Sequence, residues 1–146
     1  MFKHILLATD GSSASDHAAT MAIGLARTHG AKLMVVYVVD PYPYLSMGES
    51  NPYGFQAYMS AAQKQAAQAH AKVNTLCMQC QPPVEMQARL IEEVTPAIGI
   101  VQTAKAEGAD LIVLGSHGRS GIARLMLGSV ANKVVAESAV PVLVVR

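Results

Sequence analysis

Short apolar runs alternate with longer stretches of helical periodicity along the whole chain, and this alternation restricts the fold more than any other feature. A strand that leads into a helix and then into another strand builds a β-α-β unit, whose crossover returns the next strand parallel and with right-handed connection. The first run is Ile5 to Thr9, broken by Asp10-Gly11-Ser12-Ser13. Ser13, with Asp16 three residues on, resembles a capping box and predicts a helix start. Ala18, Met21, Ala22, Leu25 and Ala26 then recur at helical spacing, and Gly30 ends the helix as a left-handed cap. Leu33 to Val39 is a second strand, apolar on both faces as expected beneath helices on each side.

Asp40 to Gly54, rich in proline and glycine among tyrosines, reads as a loop with turns. An alanine- and glutamine-rich helix is predicted over Phe55 to Met78, stopped by Pro82-Pro83. Val84, Met86, Ala88 and Leu90 alternate with Glu85, Gln87 and Arg89, which marks a strand with one wet face at a sheet edge. Pro96 opens the next helix, with Ala97, Ile98, Val101 and Ala104 along one side and Gly108 closing it. Leu111 to Leu114 is a fourth strand, Gly115 to Leu127 is glycine-rich, a last helix runs from Ser129 toward Ser138, and Val142 to Val145 is the fifth strand. The pattern predicts one doubly wound α/β domain over residues 1–146, with a five-stranded parallel sheet, no linker and no internal repeat.

Composition narrows the function. With 51% hydrophobic residues a chain of 146 buries a sizeable core. Only 14% are charged, the net charge is +1, and no run of five or more like charges occurs, which argues against a nucleic-acid partner. The apolar runs are strand-sized, so no membrane insertion is expected. Met1-Phe2-Lys3-His4 leads directly into a run ending at Asp10, without the longer apolar region of a secretory signal. That pattern, together with only two cysteines, gives a cytoplasmic expectation.

In open parallel sheets ligands sit beyond the carboxyl ends of the strands, where the strand order reverses. Two loops qualify. One carries Asp10, Gly11 and Ser12; the other reads Gly115-Ser116-His117-Gly118-Arg119-Ser120-Gly121 and continues through Gly128-Ser129 into a helix. Glycines let backbone N–H groups approach an anion closely, and a helix amino terminus adds unpaired N–H groups with partial positive charge. Together they predict a phosphate cradle that needs no lysine. The plain alternative is a glycine-rich turn in which Ser129 only caps the helix. Likewise His117 is a ligand or an exposed loop residue, and Arg119 and Arg124 neutralise phosphates or stand in solvent. Asp10 accepts from a ribose hydroxyl or caps the helix after it.

The spacing Gly115, two residues, Gly118, nine residues, Gly128-Ser129 resembles the ATP-binding signature of the universal stress protein family. Ile5-Leu6-Leu7-Ala8-Thr9-Asp10-Gly11-Ser12, Ala109 to Leu114 and Val140-Pro141-Val142-Leu143-Val144-Val145 are similar to that family too, so the resemblance spans essentially the whole chain. It implies the strand order 3-2-1-4-5. It implies that amides around Gly118, Gly128 and Ser129 hold the phosphates, with the Ser129 hydroxyl adding a bond. Asp10 faces the ribose; Ala8, Thr9 and Val38 flank the adenine; Leu114, Gly115, Ser116 and His117 pass beside the nucleoside; Val130 adds a backbone contact. Some binders carry threonine where this chain has Ala131. The ligand so implied is ATP, with or without Mg²⁺. Homodimers through the last strand are common in the family. Val142 to Val145, apolar on both faces yet at an edge in that order, gives a separate reason to expect one.

No catalytic set emerges. Gly-Lys-Ser and Gly-Lys-Thr are absent, and the five histidines include no His-Glu-x-x-His pair. Cys77-Met78-Gln79-Cys80 comes at a helix end, whereas redox pairs open a helix where the dipole activates a thiol. The expectation is an ATP-binding regulatory protein, a nucleotide-dependent conformational or dimer switch read by a protein partner. The alternatives are a slow ATPase or self-phosphorylating enzyme, and a redox module built on Cys77 and Cys80.

Overall fold

The computed structural model describes residues 1–41, 52–117 and 126–146. Its elements run β1 (His4–Ala8), α1 (Ser13–His29), β2 (Lys32–Val39), α2 (Pro52–Met78), β3 (Met86–Glu92), α3 (Pro96–Glu107), β4 (Leu111–Gly115), α4 (Ser129–Glu137) and β5 (Val142–Val145). All strand pairs are parallel, in the order β3-β2-β1-β4-β5. The expected architecture and order are therefore observed.

Period-two alternation in the central strands fills two cores, one on each face of the sheet. Ile5, Leu7, Leu33, Val35, Leu111 and Val113 point to one face, where α1 and α2 cover them. Leu6, Ala8, Met34, Val36, Ile112 and Leu114 point to the other, under α3 and α4. A strand buried on both faces must be apolar at every position, which is why β1, β2 and β4 read as unbroken apolar runs.

The helix ends are local. Gly30 at φ 63° gives its N–H to the carbonyls of Ala26 and Arg27, a left-handed cap that any Cβ would strain. The amino-terminal cap of α1 falls one residue earlier than expected: Ser12, not Ser13, accepts from the Ser15 amide. Asp16 is consequently not the second half of a capping box. Its carboxylate instead takes the Lys72 ammonium of α2 at 2.6 Å.

Helix α2 includes residues 52–54, which the sequence reading placed in the loop; Pro52 suits a first turn because its missing N–H would have no partner there. Residues 42–51 of that predicted loop lie outside the described residues. At the edge, β3 begins at Met86 rather than Val84. Met86, Ala88 and Leu90 do share one face, but α2 covers them incompletely, leaving Leu90 40% exposed. Among the described residues no helix is long and apolar enough to cross a membrane.

Candidate functional site

The chain leaves β1 toward β2 and leaves β4 toward β5, in opposite directions along the sheet. The connections at the carboxyl ends of these two neighbours therefore diverge and open a crevice. A cleft of about 470 Å³ lies there. Ala8, Thr9, Asp10, Val38, Leu114, Gly115, His117, Gly128, Ser129 and Val130 all line it. Gly118, Arg119 and Arg124 lie outside the described residues.

The β1–α1 side is held by a chain of hydroxyls. Ser15 Oγ donates to the Ser12 carbonyl at 2.8 Å, so the hydrogen between Thr9 Oγ1 and Ser15 Oγ, 3.0 Å apart, belongs to Thr9. Thr9 Oγ1 in turn accepts from the Gly11 amide at 3.2 Å, and Gly11 turns the chain at φ 78°. Thr9 and Ser15 are both buried; each such polar group would be costly without these partners. Asp10 Oδ1 accepts from the Ser12 amide at 2.9 Å and from the Ser12 hydroxyl. Capping thus falls to Ser12, while Asp10 braces the turn and faces the cleft.

On the β4–α4 side the material is main chain. The Ser116 amide donates to the Val145 carbonyl at 2.8 Å, and the Ser116 carbonyl receives the Gly128 amide at 2.7 Å. A Cβ on Gly128 would stand 2.8 Å from that same carbonyl oxygen, so only glycine permits this approach. Gly128, in extended conformation, is the amino-terminal cap of α4, and among the described residues no side chain caps the helix. Ser129 therefore occupies the first helical position, and the reading in which it serves merely as a cap does not hold. The N–H groups of Ser129, Val130 and Ala131 find no hydrogen-bond partner among the described residues. They belong to the first turn, where the helix offers none, and all three residues line the cleft. The cleft thus presents free donors and the positive end of the α4 dipole. Among its described lining residues Asp10 and His117 are the only titratable ones, and none is lysine or arginine.

The opposite wall is apolar: Val36 and Val38 from β2, Pro96 and Ile100 from α3. Of these only Val38 was read from the sequence. Val36 shares its period-two face, and Pro96 opens the helix that leaves the carboxyl end of β3, so both carried a signal. Ser15 and Ile100 read as ordinary helix-face residues and carried none. Ser116 Oγ lies 2.9 Å from His117 Nδ1, the pairing a hydroxyl nucleophile and its base would make.

Cys77 and Cys80 sit at the end of α2, which runs back toward the amino edge of the sheet, away from the cleft. Burial pushes the Cys77 thiol up to about 11, with Cys80 nearby adding to the shift. A thiol so placed is almost wholly protonated at neutral pH, which makes Cys77 a poor nucleophile for redox exchange. Among the described residues no group of three or more His, Cys, Asp or Glu stands together to hold a metal ion.

Compared with known proteins, the chain matches the family model of the Universal stress protein family over residues 1–146. A universal stress protein of Thermus aquaticus is 40% identical over 147 residues, covering 100% of both chains. Among solved structures, universal stress protein UspA from Lactobacillus plantarum aligns with a TM-score of 0.82 at 26% identity, over 99% of this chain and 98% of that one. A universal stress protein solved in complex with cAMP aligns with a TM-score of 0.62 at 26% identity, over 99% and 97% of the two chains.

Proposed function

The chain belongs to the universal stress protein family, and from that premise we propose that it is an adenine-nucleotide-binding regulatory protein whose ligand is ATP. One observation carries the reading: a helix start that has no side-chain cap and three unpartnered amides among the described residues opens into a cleft at the sheet's switch point. Anions settle on helix amino termini because N–H groups and dipole both favour them. The relative bound to cAMP supports an adenine ring with phosphate as the class of ligand.

In this reading the amides of Gly128, Ser129 and Val130 hold phosphate oxygens, and the Ser129 hydroxyl adds a bond. Gly118 and Arg119, outside the described residues, are assigned to phosphate binding by the family resemblance alone. Asp10 takes a ribose hydroxyl, and Thr9 keeps the turn beneath it in place. Ala8 and Val38 flank the base, while Leu114, Gly115 and His117 run beside the nucleoside. Mg²⁺, where it accompanies ATP, is held by the phosphates, since Asp10 is the only carboxylate among the described lining residues. The nucleotide then biases a conformation or a dimer that a cytoplasmic protein partner reads.

The dimer forms through β5. Its residues alternate between the two cores, Leu143 and Val145 against one, Val142 and Val144 against the other, yet all four stay only half-buried at the sheet edge. A second copy would cover them and pair the open edge.

Calorimetry with ATP tests the binding, alongside mass spectrometry of the native protein for co-purified adenine nucleotide. Saturable binding is expected; no heat and no bound nucleotide at millimolar ATP sinks the reading. The Ser116–His117 pair is the one feature that favours an enzyme, a slow ATPase or a self-phosphorylating protein. Following ADP release decides it: turnover near ~1 s⁻¹, at the slow end of ordinary enzymes, means catalysis.

A further inference from the structure

Gly99 interrupts the buried face of α3, three residues after Pro96 and beside Ile100, both of which line the cleft. Glycine is the poorest helix former after proline, so its place inside a helix calls for a packing reason. The reason is Val38. A Cβ at position 99 would stand 3.0 Å from Val38 Cγ2 and 3.2 Å from its Cγ1, with Val94 Cγ2 at 3.1 Å. Carbon atoms pack best at about 3.5–4.0 Å, so every one of these contacts is repulsive. Turning Val38 does not remove the clash. The three staggered positions on its Cβ carry two methyls and one hydrogen, so any hop leaves one of the two methyl positions facing Gly99 occupied. The bare backbone at 99 is what lets α3 seat against β2, with Val38, Pro96 and Ile100 sharing one wall of the cleft.

Resting on the nucleotide reading above, we infer that Gly99 sets the depth of the base pocket and thereby selects for a purine ring. It touches no ligand; it is a positioning residue acting through Val38. A methyl at 99 either drives Val38 off its seat or lifts the first turn of α3, and both change the apolar wall. The amides of α4, at the other end of the cleft, are untouched.

Calorimetric titration with ATP, CTP and inorganic tripolyphosphate of the wild type, Gly99→Ala, Val38→Ala and the double variant tests this. Gly99→Ala is expected to weaken ATP about tenfold, the effect of one methyl group in an apolar pocket. CTP should lose less, because its ring is smaller, and tripolyphosphate should be unchanged. In the Val38→Ala background, where both Val38 methyls are gone and only the Val94 Cγ2 contact remains, Gly99→Ala should change ATP affinity less than about twofold, since the coupling through Val38 has been removed. Equal losses for ATP and tripolyphosphate overturn the inference, as does an unaltered ATP affinity or the same loss in the Val38→Ala background. A wild-type chain that binds neither ATP nor tripolyphosphate strikes the nucleotide reading itself; one that binds both while Gly99→Ala is silent strikes this inference alone.

Discussion

At the β2–α3 end of the cleft the walls are side chains that also belong to the core, whereas at the β4–α4 end the core side chains of Leu114 and Ala131 are joined by Gly115, Gly128 and main-chain amides. Val36 and Ile100 are 1% and 4% exposed, and they pack with Met34, Ala97 and Ala104 whether or not a ligand is present. Ser129, Val130 and Ala131 instead offer N–H groups that have no partner among the described residues. A wall shared with the core ties ligand shape to stability. A cradle of amides ties affinity to backbone geometry alone, so it can be damaged without unfolding the protein.

Four changes test that contrast, and the largest effect is expected at the apolar end. Ile100→Ala should lower unfolding free energy by about 2–5 kcal/mol, the usual cost of emptying a buried isoleucine site, and weaken ATP as well. Denaturant unfolding checks it; full stability with lost binding would show that this wall is separate from the core. Next comes Gly128→Ala, whose new Cβ meets the Ser116 carbonyl oxygen at 2.8 Å. Overpacking of this kind costs about 1–3 kcal/mol, and we expect most of it to appear as weakened ATP binding by calorimetry. A loss confined to stability would contradict the cradle. Ser129→Ala should cost about 1–2 kcal/mol of binding, the worth of a hydrogen bond to a charged oxygen, with an unchanged melting temperature. Unaltered affinity would leave the amides to act without the hydroxyl.

The smallest effect should spare both ends of the cleft. His70 of α2 meets Tyr37 edge-on, ring centroids 6.5 Å apart, and its half-buried ring lies near the backbone of Val35 and Arg89, which pulls its pKa up less than burial pushes it down. Burial holds its pKa below the ordinary 6.5, so the folded state favours the neutral ring. The unfolded chain takes up the proton first as pH falls, and stability present above about pH 6.5 declines below it. Unfolding experiments at pH 7.5 and 5.5 should show this acid loss shrinking in His70→Gln. An identical loss in both proteins would move the effect to other groups.

Much of the fold was legible because its signals are local. Apolar runs at Ile5, Leu33 and Leu111 announced strands buried on both faces, and Gly30 and Gly108 marked helix ends that the structure places there. The cap of α1 slipped by one residue because Ser12 and Ser13 are both competent caps, and the turn held by Asp10 and Gly11 chose between them. The exposure of Leu90 escaped the period-two pattern for a similar reason: alternation reports which face a side chain takes, not how far a helix reaches across an edge strand.

The order of elements, the parallel sheet and the glycines at Gly115 and Gly128 were determined by the sequence itself, since periodicity and a missing Cβ act through neighbouring residues. Only the tertiary structure decided that Val36, Pro96, Ile100 and Ser15 share one cleft with them, and that Gly99 lets α3 press against Val38. Those choices depend on how closely two distant segments approach. Such a distance is set by packing the whole core at once, and no stretch of chain encodes it alone.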